Sequence, residues 1–154
     1  MRLSLSTDYA LRVLRLVGLE PDRLVTIEEV AERFGISKNH LMKVAYELGQ
    51  AGHLETIPGR NGGLRLGKAL DKIVVGEIVR GMEPDFAVVD CESPTGYCRI
   101  APSCVPRSVM REAVRAFLEK LDQYTLEDLI RPRSKLRSLL GIDRKRLVAD
   151  GFSS

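Results

Sequence analysis

The sequence has little of several features that mark whole classes of protein. Its 154 residues include no tryptophan, three cysteines and two histidines, and aromatic residues make up 5% of the chain. The longest apolar stretch, residues 10–19, is interrupted by Arg12 and Arg15, and it is shorter than the roughly 20 residues that cross a bilayer. The first residues also lack the order of a secretory signal. We therefore expect a cytoplasmic protein without a membrane partner.

The three cysteines lie close together, and their odd number argues against a disulfide framework. Cys91, Cys98 and Cys104 form a Cys-x6-Cys-x5-Cys pattern with no Cys-x-x-Cys pair. Structural zinc sites need four donors, which three thiols alone do not supply. Thiolates on a long loop suit an iron-sulfur cluster with one position open to another donor. From spacing alone a cluster, a zinc ion and plain reduced cysteines all stay open.

The overall charge says little about partners, but its distribution says more. The chain has 24 Lys and Arg against 21 Asp and Glu, a net charge of +3. Residues 33–68 hold six basic residues against Glu47 and Glu55, and residues 131–146 hold seven against Asp143. We interpret the first stretch as a nucleic-acid contact and the second as a loosely ordered tail.

Two short amphipathic helices are predicted on either side of Gly35. The first begins at Thr26, because Thr26 and Glu29 have the spacing of a capping box. The second begins after Ser37 and ends near Gly49, with apolar residues at i, i+3, i+4 and i+7. Since Gly35 can adopt the positive φ of a sharp turn, the pattern predicts a helix-turn-helix.

Two short strands follow, over residues 53–57 and 64–66, and Asn61-Gly62 between them is typical of a hairpin turn. A hairpin after a helix-turn-helix is a wing. Residues 83–106 lack periodicity and carry all three cysteines, and such a long loop indicates function. Residues 107–124 form the longest helix pattern, whose apolar stripe needs a partner, most simply a second copy of the chain.

The predicted fold class is mainly α with a small β-hairpin. The predicted organisation is a winged helix-turn-helix DNA-binding domain over 1–82, a cysteine-bearing loop over 83–106, a dimerisation helix region over 107–130 and a basic, flexible tail over 131–154.

Candidate DNA contacts lie on the exposed side of the second helix and at the wing tip. In a helix-turn-helix the second helix enters the major groove, where Lys and Asn side chains contact base edges or phosphates. An arginine at the wing tip suits a narrow minor groove. The candidates are Ser37, Lys38, Asn39, Met42, Lys43 and Tyr46 on the helix, with Arg60 and Asn61 on the wing.

Catalysis has little support in the sequence. A cysteine nucleophile would need His40 or His53 as its base, and no recognisable nucleophile motif places either of them. We therefore expect a protein that is not an enzyme.

Several segments together resemble one known family. They are residues 7–12 (TDYALR), 36–43 (ISKNHLMK), 59–68 (GRNGGLRLGK), 117–126 (FLEKLDQYTL) and the three-cysteine loop. Over residues 1–130 the chain resembles the iron-sulfur winged-helix repressors, whose branches include the IscR-like and NsrR-like regulators. The NsrR-like branch, which senses nitric oxide, is the closer likeness.

The resemblance implies a cluster held by the three cysteines. IscR-like members have a histidine three residues after the last cysteine, but Arg107 occupies that position here. Asp8 matches the carboxylate that NsrR-like proteins supply from the partner subunit, and Arg12, one turn further along, would hold that carboxylate or offset the charge of the cluster. The first cysteine interval, x6, departs from the x5 of many relatives. The resemblance implies a [4Fe-4S] cluster, with [2Fe-2S] as the alternative.

The implied function is a homodimeric repressor that binds a pseudo-palindromic double-stranded DNA operator and responds to nitric oxide. One alternative is an iron-responsive or redox-responsive regulator of the same fold. A different class, an electron-transfer or cluster-assembly protein, would carry the cluster without needing the basic helix.

Overall fold

The structure, a computed structural model, describes residues 1–143 and consists of helices with one β-hairpin. Its elements are α1 (Leu5–Leu19), α2 (Ile27–Phe34), α3 (Lys38–Gln50), β1 (Leu54–Ile57), β2 (Gly63–Leu66), α4 (Val75–Met82), α5 (Val105–Leu121), α6 (Leu126–Leu129) and α7 (Arg133–Leu139). No helix within residues 1–143 has the length and apolarity needed to cross a bilayer. The predicted fold class is confirmed.

Helix α1 is the centre of the hydrophobic core. It begins after Ser4, whose hydroxyl accepts a hydrogen bond from the backbone N–H of Thr7, and its last seven residues include five that are buried and apolar. Helices α3, α4 and α6 and strand β2 pack against it. Leu14 and Leu16 are fully buried, so truncating either to alanine costs about 2–5 kcal/mol.

The helix-turn-helix forms where the sequence predicts it. Gly35 ends α2 in the left-handed region at φ +65°, which is why a glycine serves there. The Thr26 hydroxyl accepts from the Glu29 backbone N–H at 3.2 Å, as half of a capping box does. The Glu29 carboxylate binds Arg23 and Arg33 instead of reaching back to the cap, because two arginines face it. Ser37 is the N-cap residue of α3, but its side chain makes no capping hydrogen bond.

The wing is an antiparallel pair that runs from Leu54 opposite Leu66 to Ile57 opposite Gly63. Val25, in the α1–α2 connection, adds a short bridge to Leu64, with N–O distances of 2.7 and 3.0 Å. The hairpin is confirmed, but its turn differs from the two-residue Asn-Gly type. The positive φ lies on Gly59 at +104°, and the loop spans residues 58–62.

Helix α5 is the longest helix, and none of its residues is buried. Its apolar side chains line a cavity together with the chain's N-terminus and the start of the cysteine loop. The lining includes Leu3, Phe86, Val88, Met110, Val114 and Phe117. The apolar side chains of this 17-residue helix are at most half-buried within the described chain, which leaves an apolar surface to be covered.

The segment after α6 differs from the loosely ordered tail that its charge predicts. Residues 133–139 form α7, Leu136 and Leu140 pack against the core, and Ile142 is 3% exposed. These three apolar residues, spaced along a basic segment, account for the docking, since charge alone does not prevent burial of an apolar face. The remainder of the predicted tail, with Arg144, Lys145 and Arg146, lies outside the described residues.

Candidate functional site

The outer face of α3 is polar and open to solvent. Leu41, Val44 and Leu48 point into the core, as the spacing predicts, and they hold the opposite face outward. All six side chains predicted to contact DNA from this helix region are exposed: Ser37, Lys38, Asn39, Met42, Lys43 and Tyr46. Met42 and Tyr46 are 60% and 66% exposed, which is unusual for large apolar side chains. The face is therefore free to contact another molecule.

The basic groups on this face are held by weak contacts. Lys38 Nζ lies 3.3 Å from Glu28 Oε1, and Lys43 Nζ lies 4.0 Å from Glu47 Oε1. Both pairs are exposed, and exposed pairs contribute about 0–1 kcal/mol. A phosphate group can replace either carboxylate at little cost. The face can thus exchange its internal ion pairs for contacts with a polyanion.

The wing tip carries Arg60 and Asn61, both exposed. The turn beneath them is narrow: a Cβ on Gly62 would lie 2.0 Å from the Ile57 carbonyl oxygen. Gly62 donates its backbone N–H to the Gly59 oxygen at 3.0 Å. Glycines at these two positions fold the tip back tightly, so Arg60 is carried at the end of a short, well-defined hairpin.

Asp8 and Arg12 lie one turn apart on α1 and form an ion pair at 2.9 Å. Both side chains are about two-fifths exposed, so the carboxylate is accessible. The Arg12 guanidinium stands over the Phe34 ring of α2 at 5.7 Å from its centroid. Tyr9, next to Asp8, makes an edge contact with His40 of α3, with ring centroids 5.4 Å apart. The turn that carries Asp8 therefore contacts both helices of the helix-turn-helix.

The cysteine loop contains two short 3₁₀ turns. Cys91 lies in the first turn, Asp90–Glu92, and Cys104 follows the second, Ala101–Ser103, as the N-cap residue of α5. All three cysteines, including Cys98 between the turns, are free and half-buried. The loop folds tightly at Gly96, where a Cβ would lie 1.8 Å from the Asp90 oxygen and 2.8 Å from Cys91 Cα.

The donor chemistry of this loop fits an anionic iron-sulfur cluster. Within residues 1–143 no three His, Cys, Asp or Glu side chains converge as a metal site, so the loop alone does not assemble a ligand set. Three thiols and no nearby histidine suit iron and sulfide better than a harder cation. Arg107 Nε is buried without a hydrogen-bond partner among the described residues. Arg107 lines a cavity with Cys104, Arg111, Glu112 and Arg115, so three of the four charged side chains around it are basic.

Other contacts at the site have no signature in the sequence. The contacts of Phe34 and His40 with α1, and a carboxylate contact from Glu83 to the start of α1, join residues far apart in the chain. Periodicity and motif spacing report only local neighbours, so these contacts emerge only from the tertiary structure.

His53, the other histidine, is buried at the start of β1 and is 4% exposed. Burial, followed by the charge of Lys68, lowers its pKa below the usual range. It is thus a buried residue that directly precedes the wing strand β1.

Comparison with known proteins identifies relatives over nearly the whole chain. A family model described as Rrf2, iron-dependent transcriptional regulator, matches residues 3–132. The HTH-type transcriptional regulator NsrR of Bacillus licheniformis is 47% identical over 142 residues, which cover 91% of this chain and 99% of that protein. NsrR of Bacillus subtilis is also 47% identical over 142 residues, 91% of this chain and 97% of that protein.

Solved structures agree with the fold. IscR of T. potens superposes with a TM-score of 0.70 at 22% identity, covering 89% of this chain and 91% of that one. CymR, described as the global cysteine regulator of B. subtilis, superposes with a TM-score of 0.63 at 25% identity, covering 84% and 95%. The curated relatives are named as transcriptional regulators, a non-enzymatic role, which confirms that prediction.

Proposed function

Because the chain belongs to the Rrf2 family of iron-dependent transcriptional regulators, we propose that it is a homodimeric repressor controlled by an iron-sulfur cluster that reacts with nitric oxide. The observation that carries the proposal is that the same chain has an exposed basic recognition helix and a loop that holds all three cysteines of the chain. A repressor that binds an operator acts in the cytoplasm.

The DNA-binding part of the proposal rests on α3 and the wing. Asn39 can pair with an adenine edge, and Lys38 and Lys43 can contact guanine edges or phosphates in the major groove. Ser37 and Tyr46 hydroxyls can hold phosphates, which fix the register of the helix. Arg60 and Asn61 would follow the neighbouring minor groove. All of these side chains are exposed.

The dimer rests on α5. Its apolar face is only partly covered within the described chain, and an identical helix from a second subunit would cover the rest by two-fold symmetry. Two recognition helices held in this way read two half-sites about one helical turn apart, roughly 34 Å. A pseudo-palindromic double-stranded operator follows from that symmetry.

The cluster site takes Cys91, Cys98 and Cys104 from one subunit and Asp8 from the partner. A cluster bound there supplies iron that nitric oxide can bind. The accessible Asp8 carboxylate is the weakest of the four donors, because an oxygen ligand holds iron less firmly than thiolates do. We expect it to be the first ligand lost. A [4Fe-4S] cluster and a [2Fe-2S] cluster both accept this ligand set.

Release of Asp8 reaches the DNA through α1. The turn that carries Asp8 touches α2 through Arg12 and Phe34, and it touches α3 through Tyr9 and His40. A change in the position of that turn therefore moves the recognition helix against its partner in the dimer. A small rotation misaligns one half-site and costs several kcal/mol of binding.

Two other functions predict different behaviour. An iron-responsive or redox-responsive regulator would release DNA on loss of iron or on oxidation but not specifically with nitric oxide. An electron-transfer or cluster-assembly protein would carry the cluster without binding DNA. The exposed Lys38 and Lys43 favour a regulator, because an electron-transfer or cluster-assembly protein would not need a basic face on α3.

The proposal is tested by replacing each cysteine with alanine and isolating the protein anaerobically. Each of Cys91→Ala, Cys98→Ala and Cys104→Ala should lose the visible absorbance of the cluster, because each removes one of only three thiolates. Ser103→Ala, an exposed neighbour of Cys104, is the control and should keep it. Full absorbance in one cysteine variant removes that residue from the ligand set, and zinc without iron in the native protein overturns the cluster.

A further inference from the structure

A carboxylate at the start of the cysteine loop holds the start of α1. Glu83 follows α4 directly as its C-cap residue, and its backbone N–H donates to the Val79 oxygen at 3.0 Å in the last hydrogen bond of the helix. Its Oε1 accepts a hydrogen bond from the Ser4 backbone N–H at 2.8 Å and another from the Thr7 hydroxyl. The backbone of Glu83 is thus fixed by one helix and its side chain by another.

The two residues that donate to Glu83 lie close together at the start of α1, and they are half-buried and fully buried, respectively. Thr7 is fully buried, and its hydroxyl lies 3.0 Å from Ser4 Oγ, which also accepts the Thr7 N–H at 3.2 Å. Two donors on the first turn of a 15-residue helix therefore converge on one carboxylate oxygen. A negative charge at a helix N-terminus is further favoured by the helix dipole. Hydrogen bonds to a charged acceptor are among the stronger ones in proteins.

The contact ends one residue before Asp8. Thr7 and Asp8 share the first turn of α1, so whatever fixes Thr7 also fixes the backbone that carries the Asp8 carboxylate. On the opposite side, Glu83 is the first residue of the segment that leads to Cys91. One side chain therefore joins the helix of the proposed fourth ligand to the base of the loop with the three thiols.

We propose that Glu83 is a positioning residue that sets the place of Asp8 and links the two cluster sites of a dimer. This inference rests on the proposed function, in which each cluster takes its cysteines from one subunit and Asp8 from the other. Within one subunit, Glu83 ties the helix that serves the partner's site to the loop that serves its own. A displacement at one site is then transmitted to the second site through the Glu83, Ser4 and Thr7 hydrogen bonds.

Mixed dimers test this role, because they separate the two subunits of one site. One subunit carries Cys91→Ala, so that only the other subunit's loop holds a cluster, and Asp8 for that cluster comes from the Cys91→Ala subunit. Glu83→Ala is then placed either on the Asp8-supplying subunit or on the cysteine-supplying subunit. The measurement is the rate of loss of visible absorbance under anaerobic chelator.

Glu83→Ala on the Asp8-supplying subunit should speed cluster loss about tenfold, since it removes hydrogen bonds to a charged group that hold the ligand-bearing turn. The same change on the cysteine-supplying subunit should have a smaller effect. Glu83→Gln, which keeps an acceptor oxygen, should restore most of the stability. An acceleration that occurs only on the cysteine-supplying subunit overturns the proposal, as does a rate that equals that of the reference dimer.

Two controls keep the outcomes distinct. Glu77→Gln, on the exposed side of the same α4 helix, should leave the rate unchanged. If Asp8→Ala on the donating subunit has no effect, the cross-subunit ligand is wrong and the positioning role falls with it. If Asp8→Ala speeds the loss and Glu83→Ala does not, only the positioning role is overturned.

Cluster-free protein gives an independent readout. In Glu83→Ala the backbone amides of residues 4–7 should exchange hydrogen faster than in the native chain, because Ser4 loses its acceptor. The amides of α3 serve as the internal reference for folding. Native-like protection of residues 4–7 in this variant contradicts the contact on which the proposal stands.

Discussion

At the residue scale, the contrast between two sets of side chains defines the protein. The side chains of α3 that face the core are buried, and those that face outward are polar, exposed and weakly paired. The cysteines are half-buried and share their loop with charged neighbours. One set is arranged to meet a polyanion, and the other is arranged to keep thiolates partly shielded from water.

Lys43 and Arg60 should contribute differently to DNA binding. Lys43→Ala should weaken binding to all sequences alike and lower the salt slope by about one, because a phosphate contact is lost. Arg60→Ala should cost about 1–3 kcal/mol and relax the preference at one position if the side chain follows the groove. Fluorescence anisotropy at several salt concentrations measures both.

Lys120→Ala, on the exposed part of α5, is the matched control and should leave operator affinity unchanged. Unchanged operator affinity in Arg60→Ala would remove the wing from the interface. An unaltered salt slope in Lys43→Ala would exclude the phosphate contact.

The sequence alone predicted which side chains of α3 are buried and which are exposed, because burial on one helical face follows from a 3.6-residue period. Its N-cap Ser37 and the turn glycine Gly35 were also readable. The neighbours of Asp8 were not. Tyr9 meets His40 across 31 positions of sequence, and nothing in local spacing encodes such a contact.

At the scale of elements, the C-terminal helix braces the helix-turn-helix. Arg137 Nη1 donates to the Leu19 carbonyl oxygen at 2.6 Å and lies 2.9 Å from Glu20 Oε1, a charge contact that lacks hydrogen-bond geometry. Glu20 also pairs with Arg23, which binds Glu29, which in turn binds Arg33. Arg33 donates to the Leu140 carbonyl oxygen at the end of α7. The chain of contacts is closed, and it joins α1, α2 and α7.

Within this network Glu29 stays charged at neutral and mildly acidic pH. The hydrogen bond from Arg23, opposed in part by burial and aided by Arg33, lowers the pKa of Glu29 to about 2. A carboxylate with a depressed pKa stabilises the fold above its unfolded value of about 4.5 and loses that contribution as the pH falls toward 2. The contacts of Glu29 with Arg23 and Arg33 therefore persist at neutral and mildly acidic pH.

Arg137→Ala should destabilise the protein by about 1–3 kcal/mol, because the Leu19 carbonyl loses its donor and the buried Glu20 carboxylate keeps only Arg23 as a cationic partner. In a chain of this size each kcal/mol lowers the melting temperature by roughly 2–4 °C. Thermal unfolding followed by circular dichroism measures the change. Lys135→Ala, exposed on the same helix, should melt as the native protein does. Equal melting of the two variants would show that α7 does not brace the domain.

The sequence predicted the helices and the hairpin to within a few residues, because caps, glycines and apolar periods are local signals. It misjudged two elements. The tail was expected to be loosely ordered from its charge, but Leu136, Leu140 and Ile142 dock its first part. The wing turn was expected at Asn61-Gly62, but the left-handed residue is Gly59.

At the scale of the whole molecule, the proposed repressor depends on a second subunit. The apolar face of α5 is only partly covered within residues 1–143, and the proposed cluster lacks a fourth ligand without the partner's Asp8. The sequence alone predicted a dimer and a missing fourth ligand, because the spacing of the apolar residues on α5 and the number of cysteines can be read from it. How the dimer couples to DNA depends on contacts that only the tertiary structure supplies.

Phe117→Glu should convert the dimer into a monomer, because it places a charge in the apolar cavity on α5. Sedimentation velocity measures the mass, and operator affinity should fall steeply because one chain reads only one half-site. Ala116→Glu, on the exposed neighbouring position, is the control and should remain a dimer. A Phe117→Glu protein that stays dimeric would place the interface elsewhere.

The central claim is that the cluster controls the spacing of the two recognition helices. The most direct measurement is operator affinity at one fixed salt concentration for three forms of the native dimer: cluster-loaded, nitric-oxide-treated and cluster-free. We expect the loaded dimer to bind at least tenfold more tightly than the other two, since losing one half-site costs more than ~1.4 kcal/mol. Equal affinity of the three forms would contradict the switch, whatever the fold and the ligand set prove to be.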